Sequence, residues 1–281
     1  MVWFGRMKTV LQHGILQKKV ITQCVLTVND FMKFDGKKFA EEIIAKLPKK
    51  EAKLAIFLDS NNISGAKYVE KKIEAGKQLG VEFLIYTSPQ PSPKLGEGDP
   101  AKLEGEVLRL NNDPTVTGIM IQLPFPNSQE LINLIDPEKD VDGLREGSLY
   151  LPAAVLAVQK VLSAQCSVLR DKKICVVGAR GFVGGKLMQV YPNAVGMDKE
   201  DFDPEKIKDF DVVISATGQA GLIKEVKTGA ICVDLGFPKG DFSPEVALKA
   251  SFFTPVPGGV GPVTVACLFE NLFCQNVPVK K

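Results

Sequence analysis

Tyr68 and Lys72 are the first side chains whose types and spacing could support acid–base chemistry. They lie four residues apart in the stretch Tyr68-Val-Glu-Lys-Lys72, and residues at this spacing share one face of an α-helix. Most lysines are exposed, and a lysine transfers protons at neutral pH only where burial or a neighbouring charge lowers its pKa. The pattern alone is therefore compatible with a solvated helix face as well as with an acid–base pair.

The amino-acid composition argues against several kinds of catalytic site and binding partner. The 281-residue chain has one histidine, His13, so a histidine-based triad or zinc site is nearly excluded and acid–base work falls to Lys, Asp, Glu or Tyr. A net charge of +2 does not favour a nucleic-acid partner. No apolar run reaches the roughly 18 residues that span a bilayer. Six cysteines without a Cys-x-x-Cys pair fit a reducing cytosol, and Cys175 and Cys232 are expected to be buried. We therefore expect a cytoplasmic protein without a membrane partner.

Two polar side chains follow apolar segments in the first half of the chain. Gln122 closes the run Gly118-Ile-Met-Ile-Gln122, and the carboxyl end of a parallel strand is a usual place for a site residue. Asp142 lies in the acidic turn Lys139-Asp-Val-Asp-Gly143, whose irregular spacing argues against a metal site. Both side chains could instead simply face water.

A glycine-rich turn connects a predicted strand to a predicted helix. Gly178, Gly181 and Gly184 recur every third residue, which suits a dinucleotide pyrophosphate at a helix N-terminus. Asp198 follows 20 residues after Gly178, where an acid typically binds the ribose 2′-hydroxyl of NAD. Arg180 flanks the same place and, like the neighbouring Lys199, could pair with the 2′-phosphate of NADP. The choice between NAD and NADP stays open.

The segment 254–264 contains three glycines and three prolines, so no regular element passes through it. At Gly258-Gly259 the backbone could approach a flat ligand closely, although an isolated cluster of this kind is more often a rigid turn. A helix is predicted over 263–273, with Pro262 near its first turn.

Strands and helices alternate along the chain, which implies parallel pairing and, by length, about two domains. Helices are predicted over 39–47, 67–79, 103–110, 153–162 and 181–190. Strands are predicted over 54–58, 81–86, 118–123, 173–178, 194–197, 211–216 and 230–235. Residues 59–65 and 88–100 are predicted to be loops.

From Met32 to Asn271, five segments in order resemble the motifs of the bifunctional methylenetetrahydrofolate dehydrogenase / methenyltetrahydrofolate cyclohydrolase family. The resemblance implies an α/β fold with two α/β domains flanking a cleft, the second a Rossmann-type dinucleotide-binding domain. Residues 32–150 would form the folate-binding catalytic domain, to which the C-terminal helix 262–276 returns, and 151–261 the NAD(P)-binding domain. Residues 1–31 are expected to be a poorly ordered leader or, as we favour, an upstream extension before a start at Met32.

The resemblance also implies the reaction and the roles of the residues. The enzyme would oxidise 5,10-methylenetetrahydrofolate and hydrolyse the methenyl product to 10-formyltetrahydrofolate, with NADP as cofactor, or NAD, and as a homodimer. Lys72 would be the acid–base group held by Gln122, with Tyr68 stacked on the aminobenzoyl ring and Asp142 binding the pterin. The remaining implied substrate-binding residues are Pro257, Gly258 and Gly259. The implied cofactor-binding residues are Gly178, Ala179, Arg180, Gly181, Gly184, Asp198, Thr217, Gly218, Gly236, Gly259 and Thr264.

The chain departs from the family pattern at four points. Gly65 stands where a serine is usual, and Val263 where a methionine is usual. The turn reads Gly178-Ala-Arg180 instead of Gly-Arg-Ser. A Gly-Asp-Val-(Asp/Asn)-Phe stretch before residue 254 is judged missing, with only Phe252-Phe253 remaining. A monofunctional dehydrogenase of the same family, a shikimate-type oxidoreductase and a non-catalytic dinucleotide-binding protein therefore stay as alternatives.

Overall fold

The computed structural model describes residues 34–88, 100–165 and 169–274. The predicted leader 1–31 lies outside these residues, as does most of the loop predicted over 88–100. Two parallel sheets, each with helices packed against it, make up the described part of the chain.

The first sheet has three parallel strands in the order β2-β1-β3. Its central strand is an unbroken apolar run, buried from Leu54 to Leu58, as expected for a parallel strand that is covered on both faces. The elements of this half are α1 (Gly36–Ile44), β1 (Ala52–Leu58), α2 (Ile63–Gln78), β2 (Val81–Thr87), α3 (Pro100–Asn111), β3 (Gly118–Gln122) and α4 (Ser128–Leu134).

The second sheet has five parallel strands in the order β5-β4-β6-β7-β8. Its inner strands are short and buried apart from the partly buried Ile231, and Cys175 and Cys232 lie within them as predicted. The elements of this half are α5 (Ala153–Gln165), β4 (Ile174–Val177), α6 (Phe182–Val190), β5 (Val195–Met197), β6 (Val212–Ser215), β7 (Ile231–Asp234), β8 (Phe252–Phe253) and α7 (Val260–Phe273). Two short 3₁₀ helices occur at Lys206–Asp209 and Pro244–Leu248.

The last helix, α7, joins the two halves. It packs against α1, α2 and α5, and its buried side chains belong to one hydrophobic core that continues under both sheets. Asn271 anchors its end, because its Nδ2 donates hydrogen bonds of 2.9 Å to Val141 O and 3.0 Å to Leu151 O. Through these bonds the C-terminal helix fixes the acidic turn that precedes residue 143.

Several predicted boundaries were wrong, and local contacts explain why. Helix α2 begins at Ile63 rather than at 67, because the Asn62 side chain caps it by accepting a 2.8 Å hydrogen bond from Gly65 N. The predicted loop 59–65 was therefore too long. Helix α7 begins at Val260, three residues before the predicted start, and places Pro262 in its first turn. Helix α4 and strand β8 were missed, since each is too short to show a clear period.

Candidate active site

Lys72 is the centre of the site. It projects from α2, is 3% exposed, and its Nζ donates a 3.0 Å hydrogen bond to Gln122 Oε1. The same nitrogen lies 3.6 Å from Met120 Sδ and 4.9 Å from the centre of the Tyr68 ring. Burial lowers the pKa of Lys72, and the nearby carboxylate of Asp142 partly opposes that shift. A buried amine of lowered pKa meets the condition for proton transfer that the sequence left open.

Gln122, on strand β3 of the first sheet, holds the amine of Lys72. It is the last residue of β3, and its Nε2 donates a 3.0 Å hydrogen bond to Leu123 O. With the nitrogen of the amide engaged in this way, the oxygen is turned toward Lys72. The predicted pairing of Gln122 with Lys72 is present in the structure.

Tyr68 connects α2 to the start of α7. Its hydroxyl donates a 3.1 Å hydrogen bond to Gly261 O, and Thr264 lies beside the same hydroxyl. Burial is the main reason why the pKa of Tyr68 is raised, so the phenol stays protonated and can donate a hydrogen bond. The ring of Phe237, in the loop that follows β7, lies 5.6 Å from the Tyr68 ring. Two rings, one from each half of the chain, thus lie side by side, and that of Tyr68 is next to Lys72.

Asp140 and Asp142 have different roles in the acidic turn. The buried Asp140 accepts backbone hydrogen bonds from Gly143, Leu144 and Arg145 at 3.1, 3.4 and 3.0 Å, so it shapes the turn. The carboxylate of the half-buried Asp142 accepts no hydrogen bond within the described residues. Burial raises the pKa of Asp142, and the neighbouring Lys72 opposes the shift. Asp142 is therefore the carboxylate of this turn that is available to a ligand.

The proline- and glycine-rich loop forms the rim of the site at the start of α7. Pro257 and Gly258 are exposed, whereas Gly259 is buried and precedes the first helical residue. Gly258 has a φ of +98°, which favours glycine. The start of α1 fits tightly here: Gly36 N donates a 2.9 Å hydrogen bond to Gly258 O, and a Cβ at Gly36 would collide with Gly259 O. Gly36 is a structural requirement that sequence reasoning missed.

The glycine-rich turn leads into α6 as predicted. Gly178 has a φ of +87°, and a Cβ on Gly184 would lie 1.9 Å from Gly178 O, so the helix can approach the turn only with glycine there. Gly181 precedes the helix and provides no capping side chain, which leaves the first-turn N–H groups without a side-chain partner. These groups and the positive end of the helix suit a pyrophosphate. The turn therefore fits a dinucleotide.

Asp198 and Arg180 lie together at the end of β5. Both carboxylate oxygens of Asp198 accept from Arg180 N, at 3.2 and 3.1 Å, and the Arg180 guanidinium lies 3.5 Å from Asp198. The adjacent Ala179 N donates a 3.2 Å hydrogen bond to Met197 O. The predicted cofactor residues Ala179, Arg180 and Asp198 thus form one edge of the glycine-rich turn.

A buried aspartate that the sequence analysis missed organises the other side of the dinucleotide region. Asp241 Oδ2 accepts hydrogen bonds from Ser215 Oγ at 2.8 Å, Thr217 N at 2.8 Å and Gly218 N at 3.3 Å. A Cβ on Gly236 would lie 2.6 Å from Asp241 Oδ1, so the second strand-end loop packs directly on this carboxylate. Thr217, Gly218 and Gly236 are therefore brought together around Asp241.

The family stretch judged missing before residue 254 has a counterpart nearer to β7. Gly240-Asp241-Phe242 retains its Gly-Asp dipeptide, and that signal would have found Asp241. Asp241 N also donates a 3.1 Å hydrogen bond to the buried Asp234. Burial raises the pKa of Asp234 to about 6, against three backbone N–H donors that favour its charged form. The Gly-Asp dipeptide is therefore present, whereas the expectation that the wall itself differs stays a prediction.

The predicted residues fall into two groups, one centred on Lys72 and the other on the glycine-rich turn. Lys72, Gln122, Tyr68 and Asp142 meet in the first group, and the glycine-rich turn with its neighbours forms the second. Thr264, predicted to bind cofactor, lies in the first group and donates a 3.2 Å hydrogen bond to Val260 O. Its role toward the cofactor stays a prediction.

Within the described residues, no three His, Cys, Asp or Glu side chains come together as ligands for a metal ion. In the same ranges, no helix is long and apolar enough to cross a membrane.

Two family models match the two halves of the chain. Residues 33–142 match the catalytic domain of tetrahydrofolate dehydrogenase/cyclohydrolase, and residues 152–277 match the NAD(P)-binding domain of the same family. The chain belongs to the tetrahydrofolate dehydrogenase/cyclohydrolase family. The match to the catalytic domain also sets aside the shikimate-type alternative, which would require a different first domain.

Relatives of this family agree in sequence and in structure. The chain is 32% identical over 251 residues to the bifunctional protein FolD of Helicobacter hepaticus, covering 78% of this chain and 84% of that protein. The crystal structure of FolD from Campylobacter jejuni matches with a TM-score of 0.76 at 29% identity, over 86% of this chain and 96% of the other. The Trypanosoma brucei enzyme, complexed with NADP and inhibitor, matches with a TM-score of 0.77 at 26% identity, over 87% and 96%.

These matches confirm the predicted family, the α/β fold with a Rossmann-type second domain, and the class of NAD(P)-dependent dehydrogenase and cyclohydrolase.

Proposed function

We propose that this member of the tetrahydrofolate dehydrogenase/cyclohydrolase family performs both steps, with Lys72 as the acid–base group. It would oxidise 5,10-methylenetetrahydrofolate to the 5,10-methenyl cation and hydrolyse that cation to 10-formyltetrahydrofolate. The observation that carries the proposal is the buried Lys72 amine, 3.0 Å from Gln122 Oε1 and beside the free carboxylate of Asp142. An apolar side chain at position 72 would stabilise the fold at least as well as a buried amine, so the amine is better explained by a role in catalysis.

In the dehydrogenase step, NAD(P)⁺, when bound, supplies the hydride acceptor. The glycine-rich turn and the N-terminus of α6 would hold its pyrophosphate, and the loops bearing Thr217, Gly218 and Gly236 would line its nicotinamide side. Lys72, Tyr68 and Asp142 would position the folate from the opposite wall. Since the described side chains come from both halves, the reacting carbon would lie between them.

In the hydrolase step, a water molecule adds to the methenyl carbon and the ring opens between that carbon and N5. The neutral amine of Lys72 would take a proton from the attacking water, and N5 would receive a proton as its bond to carbon breaks. The sum is the methenyl cation plus water giving 10-formyltetrahydrofolate and one released proton. A lowered pKa increases the neutral fraction of the amine, which is what general-base action requires.

Asp142 would bind the pterin. A carboxylate accepts two parallel hydrogen bonds from an amino group and a ring N–H, a bidentate match of the type that gives strong, directional recognition. Asp142 is suited to this role because Asp140 satisfies the backbone of the turn and leaves the second carboxylate free. Tyr68 would stack on the aminobenzoyl ring, and Pro257, Gly258 and Gly259 would border the folate.

Three finer points belong to this proposal. The boundary between the domains would lie at 150/151, close to the gap between the two family matches. A homodimer and a cytoplasmic location follow from the family resemblance and the cysteine usage. A monofunctional dehydrogenase is less well supported, because the Lys72–Gln122 pair is the feature assigned to the hydrolase step.

One assay separates the candidate functions. The purified chain is incubated with 5,10-methylenetetrahydrofolate and, in separate reactions, NAD or NADP, while reduced nicotinamide and methenyl absorbance are followed. A bifunctional enzyme reduces the dinucleotide and also removes added methenyltetrahydrofolate. A monofunctional dehydrogenase reduces the dinucleotide but leaves methenyltetrahydrofolate to decay at the uncatalysed rate. Reduction of neither NAD nor NADP would contradict the proposal.

A further inference from the structure

We infer that the dinucleotide site of this chain selects NAD over NADP, and that Asp198 is the residue that decides the choice. The inference deepens the proposed function, since it rests on the dinucleotide site described above. It departs from the expectation of NADP drawn from family resemblance, and it is carried by contacts that the sequence did not show.

Asp198 is a fixed acid at the place where the adenosine ribose would lie. It follows β5, the strand next to β4 and its glycine-rich turn, and the backbone of the two is joined by a 2.7 Å hydrogen bond from Gly178 N to Met197 O. Both oxygens of Asp198 accept from Arg180 N, and its side chain is only 13% exposed. A carboxylate held in this position accepts from a ribose 2′-hydroxyl and repels a 2′-phosphate.

Arg180 is the base that would have to offset this repulsion, but it is surrounded by acids. Its guanidinium lies 3.5 Å from Asp198, 3.7 Å from Glu200 and 2.7 Å from Asp201. Asp201 also accepts a 2.5 Å hydrogen bond from Asp198 N, which fixes the backbone of the acid in turn. Arg180 therefore already lies within ion-pair distance of three carboxylates without a ligand.

The charges at this edge sum to a negative value. Three carboxylates, with Arg180 and the exposed Lys199, leave one net negative charge where NADP would bring two more. The Arg180 side chain is 66% exposed, and exposed ion pairs are weak, so Arg180 could turn toward a phosphate. Asp198 is less free to turn away, because its carboxylate is largely buried and both its oxygens accept from Arg180 N. A 2′-phosphate would therefore meet a stationary carboxylate.

The test compares both dinucleotides on the full chain. Dehydrogenase kcat/KM is measured with NAD and NADP, and binding of NADH and NADPH is titrated by nicotinamide fluorescence, which needs no folate. We expect the wild-type chain to favour NAD by about tenfold or more in both measurements. Asp198→Ser should reduce that preference by about tenfold or more, chiefly by improving NADP, and Asp198→Asn should move it in the same direction while preserving the shape of the side chain.

Glu200→Gln is the matched control, because it removes the same charge from an exposed side chain whose one ion pair among the described residues is with Arg180. It should shift the ratio by less than about threefold, as expected for an exposed pair. Equal or better use of NADP by the wild-type chain would overturn the inference. So would an unchanged ratio in both Asp198 variants, or a shift in Glu200→Gln as large as theirs. If the folate reaction is absent, the binding titration still decides the choice of dinucleotide.

Discussion

Lys72 Nζ lies 3.0 Å from Gln122 Oε1, so the amine of helix α2 meets the carboxyl end of strand β3, two elements that are 50 residues apart in sequence. The contact is partly buried, and Gln122 is uncharged, so it orients the amine without stabilising the ammonium as a carboxylate would. Burial keeps the pKa of Lys72 below its ordinary value, and an uncharged amide at the end of the strand does not oppose that shift as a carboxylate would.

The first prediction concerns the pH dependence of the hydrolase step. If the neutral amine of Lys72 is the base, the rate rises with pH through the pKa of Lys72. That inflection should lie below the value of about 10.4 of a free lysine, because burial disfavours the ammonium. Gln122→Glu places a carboxylate against the amine, so it should move the inflection to higher pH by about one unit or more.

The control for that measurement is Gln129→Glu, the same chemical change on the exposed surface of α4. Its pH–rate profile should coincide with that of the wild type. An inflection that does not move in Gln122→Glu would mean that another group titrates in the profile.

The second prediction separates the two aspartates of the acidic turn. Asp142→Asn should raise the KM for folate by about 10- to 100-fold, since a charge-assisted pair of hydrogen bonds is lost, with little change in dinucleotide affinity. Asp140→Asn should instead lower the midpoint of thermal unfolding, because Asp140 accepts three backbone hydrogen bonds. Kinetics and thermal melts of both variants provide the test. Equal losses of folate and dinucleotide affinity in Asp142→Asn would indicate a folding defect instead of a ligand contact.

The third prediction concerns Asp241. Asp241→Ala removes the acceptor of Ser215, Thr217 and Gly218, and it should weaken dinucleotide binding by about tenfold or more, since each buried donor left unpaired costs about 1–3 kcal/mol. Asp241→Asn should retain most of the affinity. Its amide oxygen can take the place of Oδ2, and the amide nitrogen would occupy the position of Oδ1, which has no hydrogen-bond partner in the described part of the chain. Fluorescence titration with NADH measures both, and equal affinity of the two variants would contradict the assigned role.

The sequence was sufficient for the features that depend on local pattern. The apolar runs around Leu54 and Cys175 predicted parallel strands, and the glycine spacing from Gly178 to Gly184 predicted the strand–turn–helix unit. The spacing of Tyr68 and Lys72 predicted one helix face. These features follow from the periods of helix and strand, which can be recognised in a short stretch of sequence.

Features that depend on distant contacts could not be read in the same way. Asp241 accepts hydrogen bonds from residues some 25 positions earlier, and no local period of helix or strand reveals those contacts. Position 36 must be glycine because a Cβ there would collide with the backbone of Gly259, more than 200 residues later. Likewise, the burial of Lys72 is set by the way α2 and β3 meet. Each of these is a consequence of packing between elements, which local propensity does not specify.

The most direct test of the central claim is the rate at which Lys72→Met hydrolyses methenyltetrahydrofolate. Methionine fits the buried position without a charge, so the fold should be retained and thermal unfolding should show a cooperative transition like that of the wild type. Loss of a general base predicts a hydrolysis rate reduced by about 10²–10⁴, with dinucleotide affinity unchanged. Near-normal hydrolysis by this folded variant would contradict the account, because Lys72 would then have no part in the chemistry.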